Sequence, residues 1–272
     1  MHSKIHECDT GVELLPREHV AWSLLLTPFA ASLLIARRWN GDILAVLCAV
    51  AALFLLRAPL IALARQRWVW KEARPEAEQA RRWLAWLGPV LILSGGWLAS
   101  RWGLAVAAGL GGIALLLSVA AVAMTIANRQ RTAWFQVVSC AGLTFSAVAA
   151  ARAATGGFPN WAWILWGLCV IHGAAGILVV HARLDAIVAS KRKPAPATPG
   201  LRPAWIAIVL AGAASVAIAA YQPWLALAPA LAAAAQAAEL AWMDVSTPLK
   251  TVGLRAMTLS IFHALALVLV LS

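Results

Sequence analysis

Residues 103–127 read GLAVAAGLGGIALLLSVAAVAMTIA, 25 positions without a charged side chain. At about 1.5 Å per residue a helix of that length crosses the ~30 Å hydrocarbon layer of a bilayer. The stretch does not alternate apolar and polar residues, as a barrel strand must. A lone segment in lipid can satisfy its backbone only as a helix, so a membrane-spanning helix is the reading. Runs of the same kind lie on both sides of it. Over the whole chain 62% of residues are hydrophobic, 12% are charged and the mean hydropathy is +0.80. A soluble domain has about 25% charged residues. The fold class is therefore all-α, a polytopic membrane helical bundle.

Working outward from 103–127, nine spans are expected: 19–36, 42–64, 83–100, 103–127, 133–151, 161–183, 204–220, 223–243 and 253–271. Breakers such as RRWNGD, TGGFPN, YQP and STP separate them. Residues 1–18 form a tail and 19–272 one transmembrane domain, with long loops at 65–82 and 184–203. The 65–82 loop mixes charges with helix formers and reads as an amphipathic surface helix, whereas KRKPAPATPGLRP reads as a linker. GLGG at 109–112 and SGG at 94–96 are candidate unwound points.

The net charge of +11 does not form the stripe on a soluble face that nucleic-acid binding requires. Seventeen Lys and Arg fall on one side of the alternating spans and four on the other, with Arg57 inside a span. The positive-inside bias then puts the N-terminus in the cytoplasm and the C-terminus outside. Trp39, Trp102, Trp161, Trp163 and Trp224 with Tyr221 would form the outer aromatic belt. Trp22, Trp68, Trp70, Trp83, Trp134, Trp205 and Trp242 would form the inner one. Acids at Glu7, Asp9, Glu13 and Glu18 and the ending IARRWNGD argue against a cleaved signal peptide. The four cysteines, Cys8, Cys48, Cys140 and Cys169, have no metal-ligand spacing and read as small buried hydrophobes.

An ionisable side chain at a span centre costs at least ~2.5–3.5 kcal/mol, so each one needs a partner, water or a purpose. Arg57, two residues before Pro59, either snorkels or makes a structural pair, or else turns to a ligand. Glu239 shares a helix face with Gln236 and is the natural carboxylate partner for Arg57. In STPLKTVGLR, Thr247 is the expected N-cap and Pro248 the first helical residue. Free amides there, with Lys250 and Arg255, form a candidate anion site. His172 and His263 lie at similar depth. They are either two haem ligands or two imidazoles bonded to neighbouring carbonyls and hydroxyls.

PREHVAW, residues 16–22, opens the first span. Pro16 suits a helix start and Trp22 the inner belt. Arg17, Glu18 and His19 fan across about 200° of helix, so at least one turns toward the bundle. This stretch resembles the Pro-Arg-Glu-His-Gly-Ala-Trp signature of the YwiC-like family of bacterial membrane proteins, with Val20 in place of the glycine. RAPLIALAR at 57–65 and TPLKTVG at 247–253 are similar to that family too. The resemblance implies a polytopic protein of the bacterial cytoplasmic (inner) membrane and no particular chemistry. A second resemblance, in topology, is to the UbiA-type intramembrane prenyltransferases. It implies functional loops after spans two and six, where that family holds Mg²⁺-diphosphate on aspartate-rich motifs. Here those places read RAPLIALARQR and HARLDAIVAS, with the single acid Asp185. A Mg²⁺ bridge has no ligands there, and no metal site is expected.

These readings converge on a polar site at the cytoplasmic end of the bundle formed by Arg17, Glu18, His19, Arg57, His181, Glu239 and Lys250. It would bind membrane lipids of an anionic, isoprenoid or quinone-like kind, or act on them, and no cofactor is assigned. The alternatives are a small-molecule transporter or permease, and a haem- or quinone-binding respiratory component that uses His172 and His263. The charge bias makes one prediction directly. A C-terminal alkaline phosphatase fusion will be active and a C-terminal green fluorescent protein fusion dark, and the reverse pair would invert the topology.

Overall fold

A computed structural model describes residues 19–72, 76–191, 201–220, 222–242 and 246–272. The segments are α1 (His19–Ala36), α2 (Gly41–Arg65), α3 (Glu76–Trp102), α4 (Leu104–Ile126) and α5 (Ala133–Thr144). They continue as α6 (Ser146–Thr155), α7 (Asn160–Lys191), α8 (Arg202–Ala219), α9 (Pro223–Ala241) and α10 (Leu249–Leu271). There is no strand among the described residues. Because α5 and α6 form one broken span, nine rods result among the described residues. Eight are long and apolar enough to cross a bilayer, and α1 is apolar over the shorter Ala21–Ala36. The chain is a multi-pass helical membrane protein.

The expected spans differ from these helices mainly at their ends. A π-helical turn at Gln66–Trp70 prolongs α2, and α3 starts at Glu76. The described residues of 65–82 are thus mainly extensions of α2 and α3, while 73–75 lie outside the described residues. Glu78 and Arg82 pair one turn apart on the second extension, a spacing that supports a helix. Residues 184–191 continue α7, while 192–200 of the linker lie outside the described residues. The 94–96 and 109–112 glycines sit in unbroken helix, so neither is an unwound point. The chain turns from α3 to α4 through Gly103, whose φ of +85° suits glycine.

The fifth span breaks at Phe145. Thr144 Oγ1 donates to the Cys140 carbonyl at 2.8 Å, which bends a helix. Val148 N then bonds the Phe145 carbonyl three residues back, a tightened turn. Phe145 packs its ring edge-on against Trp166. Beyond the break, α6 lies against α1 with Ala147, Val148, Ala150 and Ala151 fully buried. Ser146 Oγ donates to the Leu25 carbonyl at 2.7 Å and Ser32 Oγ to the Ala147 carbonyl at 2.8 Å. These bonds join α1 to α6 in both directions.

At the end opposite the basic loops, Asn40 caps α2 through Ile43 N and donates to the Ala153 carbonyl. Asp42 accepts from Trp97 and Trp102, both at 3.0 Å, and faces Arg101. Trp102 is therefore a clasp between α2 and α3 as well as a belt residue. Trp22 is likewise engaged, edge-on to Phe54. Trp39 and Trp224 are exposed at one end, and Trp68, Trp134, Trp205 and Trp242 at the other. Tyr221 and the Trp70 side chain lie outside the described residues.

The inner helices are α1 and α7. α1 packs on α5, α6, α7 and α10, and α7 packs on α5, α6, α8, α9 and α10. Gly173 makes the α5–α7 approach possible, because a Cβ there would overlap Cys140 Sγ. Gly173→Ala will therefore destabilise the fold by about 1–3 kcal/mol. Added Cys140→Ala will restore most of the thermal-unfolding midpoint in detergent; unchanged destabilisation in the double variant would refute the contact.

Candidate functional site

A cavity of about 450 Å³ lies among α1, α5, α7, α9 and α10, toward the end that carries the basic loops. Its walls are mostly apolar, from residues such as Leu24, Ile177, Val180 and Leu259. Its polar side runs along α9 and the facing turns of α7 and α10, through Gln236, Glu239, His172, Ser260 and Arg255.

The deep part is an ordered hydrogen-bond chain. Gln236, 5% exposed, sends Nε2 to the His172 carbonyl at 3.0 Å and to His172 Nδ1 at 3.3 Å. A carbonyl only accepts, so the amide nitrogen must face it, and that sets the orientation of the Gln236 amide. His172 Nδ1 then accepts, and the ring proton sits on Nε2, 3.1 Å from Ser260 Oγ. Ser260 Oγ donates its own hydrogen bond to the Ala256 carbonyl at 2.9 Å. Gly176 leaves room for this arrangement, since a Cβ there would lie 3.4 Å from Gln236 Nε2.

His172 and His263 are level in the bundle, as their spacing from the helix ends implied. Their rings stack with centroids 4.6 Å apart and planes at 21°. His263 Nδ1 lies 3.3 Å from the Ala228 carbonyl. Each imidazole thus bonds a neighbouring hydroxyl or carbonyl. Axial haem ligands approach one iron from opposite faces of the macrocycle, and rings stacked this closely leave no space for it. The residues do not fit two-sided haem ligation. Among the described residues no three His, Cys, Asp or Glu come together.

Glu239 is not the partner of Arg57. Its carboxylate lies 3.8 Å from Arg183 and 3.6 Å from Arg255. The physical reason is helix placement: α2 packs on α3, α4 and α6, whereas α9 packs on α7, α8 and α10. Arg57 is half-buried on α2 and makes no ion pair among the described residues. Arg183, 2% exposed, also donates to the Thr247 carbonyl at 2.9 Å, tying α7 to the approach of α10.

The other expected site residues divide. His181 Nε2 lies 3.0 Å from Gln136 Oε1, and Gln136 lines the cavity, so His181 supports its wall. Lys250 is exposed and does not line it. The helix starts one residue later than expected, at Leu249, with Pro248 at the cap and no side-chain capping bond. The anion site drawn around that terminus loses Arg255 to Glu239. Arg17 and Glu18 lie outside the described residues, as does the His19 side chain; His19 begins α1.

Sequence reasoning missed Arg183, Ser260 and Gln136. Arg183 was counted as a surface charge because α7 was expected to stop there. The helix-compatible run LDAIVAS after it was the available signal. Ser260, three residues before His263, shares its helix face.

A family model described as YwiC-like protein matches residues 15–151, half of the 272-residue chain. The chain belongs to the YwiC-like family. No curated protein and no solved structure matches it. In this YwiC-like protein the matched half runs from α1 into α6 and contributes Ser23, Leu24 and Gln136 to the cavity. The polar side comes from the helices beyond residue 151.

The charge cluster gives a graded expectation. Glu239→Gln leaves buried Arg183 facing a neutral amide. The long distances and the 27% exposure of Glu239 put the cost at about 2 kcal/mol, below the ~3–5 kcal/mol of a tight buried pair. Arg255, 60% exposed, is screened, and Arg255→Gln will cost less than about 1 kcal/mol. Thermal unfolding in detergent checks the order, and a larger loss for Arg255→Gln would contradict the geometry.

Proposed function

We propose that this YwiC-like protein binds an amphiphilic lipid of isoprenoid or quinone-like type in the bacterial cytoplasmic membrane. The ligand enters from the cytoplasmic side, which is the end the Lys and Arg bias assigns to the basic loops. One observation carries the reading. A cavity of about 450 Å³ joins apolar walls to one polar side made by Gln236, Glu239, His172 and Ser260. Ligand sites have this character, with volumes of about 300–1,000 Å³, apolar linings and few polar groups that set orientation. The apolar part of the ligand lies against Leu24, Ile177 and Leu259. Its polar head meets the α9 side, near the Arg183–Glu239–Arg255 cluster.

Mass spectrometry of lipids retained by the intact detergent-purified protein tests the reading. Wild type will retain one polar isoprenoid or quinone-type lipid at near-stoichiometric level. Ala256→Phe, which fills the cavity, will lose it. A protein that retains no such lipid, or a filled variant that retains it equally, would sink the reading.

A further inference from the structure

The hydrogen-bond chain beside the cavity also constrains the ligand's head group, given the binding reading above. Gln236 is 95% buried, and its amide nitrogen is committed to His172 through both the carbonyl and Nδ1. The amide cannot turn over, because its oxygen would then face the His172 carbonyl oxygen. Oε1 is thereby held on the side away from His172. It accepts no hydrogen bond among the described residues, and it is not among the buried atoms shut off without a partner. Gln236 lines the cavity, so Oε1 is a fixed acceptor open to it. Four neighbouring polar groups are already engaged. Ser260 Oγ faces His172 and donates to Ala256, and Gln136 Oε1 faces His181. Glu239, one turn along α9, faces two guanidinium groups.

We infer that Gln236 Oε1 is a specificity-determining contact that selects a ligand with a hydroxyl donor on an apolar skeleton. An alcohol, phenol or quinol meets the condition, and the matched ether, ketone or quinone does not. A ligand without the donor seats an oxygen lone pair or a methyl against Oε1 and leaves that buried acceptor dry. The selection follows from the fixed amide. A glutamine free to rotate would offer donor or acceptor equally and would not discriminate.

The test uses the full chain in detergent with farnesol and farnesyl methyl ether. These share an isoprenoid skeleton and differ by a methyl in place of the hydroxyl hydrogen. Binding is read by native mass spectrometry, with isothermal titration as a second measure. Wild type will prefer farnesol by about tenfold to a hundredfold, the range set by leaving one buried polar group unpaired. Gln236→Leu, which keeps much of the volume and removes the acceptor, will bring the ratio close to one. Equal wild-type affinities would overturn the hydroxyl assignment and leave the cavity as a lipid site. Binding of neither probe would overturn the lipid reading and this inference with it. A preference that survives Gln236→Leu would move the selection to another group and refute the role of Gln236. The wild-type comparison stands even if the variant does not fold.

Discussion

The seam between α1 and α6 carries the architecture. In lipid, burying an apolar side chain between helices brings no hydrophobic gain, so association depends on close packing and on hydrogen bonds between helices. Both occur here. Ala147, Ala150 and Ala151 let the backbones approach, and Ser146 and Ser32 each donate across the gap to the other helix's carbonyl. The break at Phe145 aims α6 onto α1, while α5 on the other side of the break packs against α7. With α1 held in this way, its remaining faces meet α7 and α10, and Ser23 and Leu24 become a wall of the cavity.

The second half of the chain supplies polarity under the same constraint. A buried polar group without a partner is costly in a low-dielectric interior, so the groups of α7, α9 and α10 are joined in sequence. Gln236 holds His172, His172 meets Ser260, and Ser260 closes on its own helix. Arg183 and Arg255 enclose Glu239 nearer the basic end. Two atoms beside this network make no hydrogen bond among the described residues, His263 Nε2 and the Gln236 amide oxygen, and Gln236 lines the apolar cavity. The division follows the family match: the matched half supplies one wall of the cavity, and the later helices supply its polar side.

Much of the fold was legible along the chain because its signals are local. Span limits follow from runs of apolar residues, and α1, α4 and α9 begin or end within a residue or two of the expected positions. The Gln236–Glu239 stripe was legible as well, since residues three apart on one helix share a face whatever packs on it. The level placement of His172 and His263 followed from counting turns. The partner of Glu239 was not legible. Arg57, Arg183 and Arg255 all sit at plausible depths, and depth does not say which helices are neighbours. Helix extensions past the membrane, as in α7 and α3, were hidden because charges outside the hydrocarbon look the same in a loop and in a helix.

The sequence by itself determined that the chain is a helical membrane bundle, where its spans lie and which side carries the positive charge. Hydropathy, length and backbone hydrogen bonding in lipid leave no other solution. Only the tertiary structure decided that Glu239 meets Arg183 and Arg255, that the two histidines stack, and that Gln236 turns its oxygen toward a cavity. Those outcomes depend on which of several similar apolar faces each helix presents to its neighbours. Contacts of that kind join residues far apart in the chain, as Ser32 and Ser146 do across α1 and α6, and no local signal announces them.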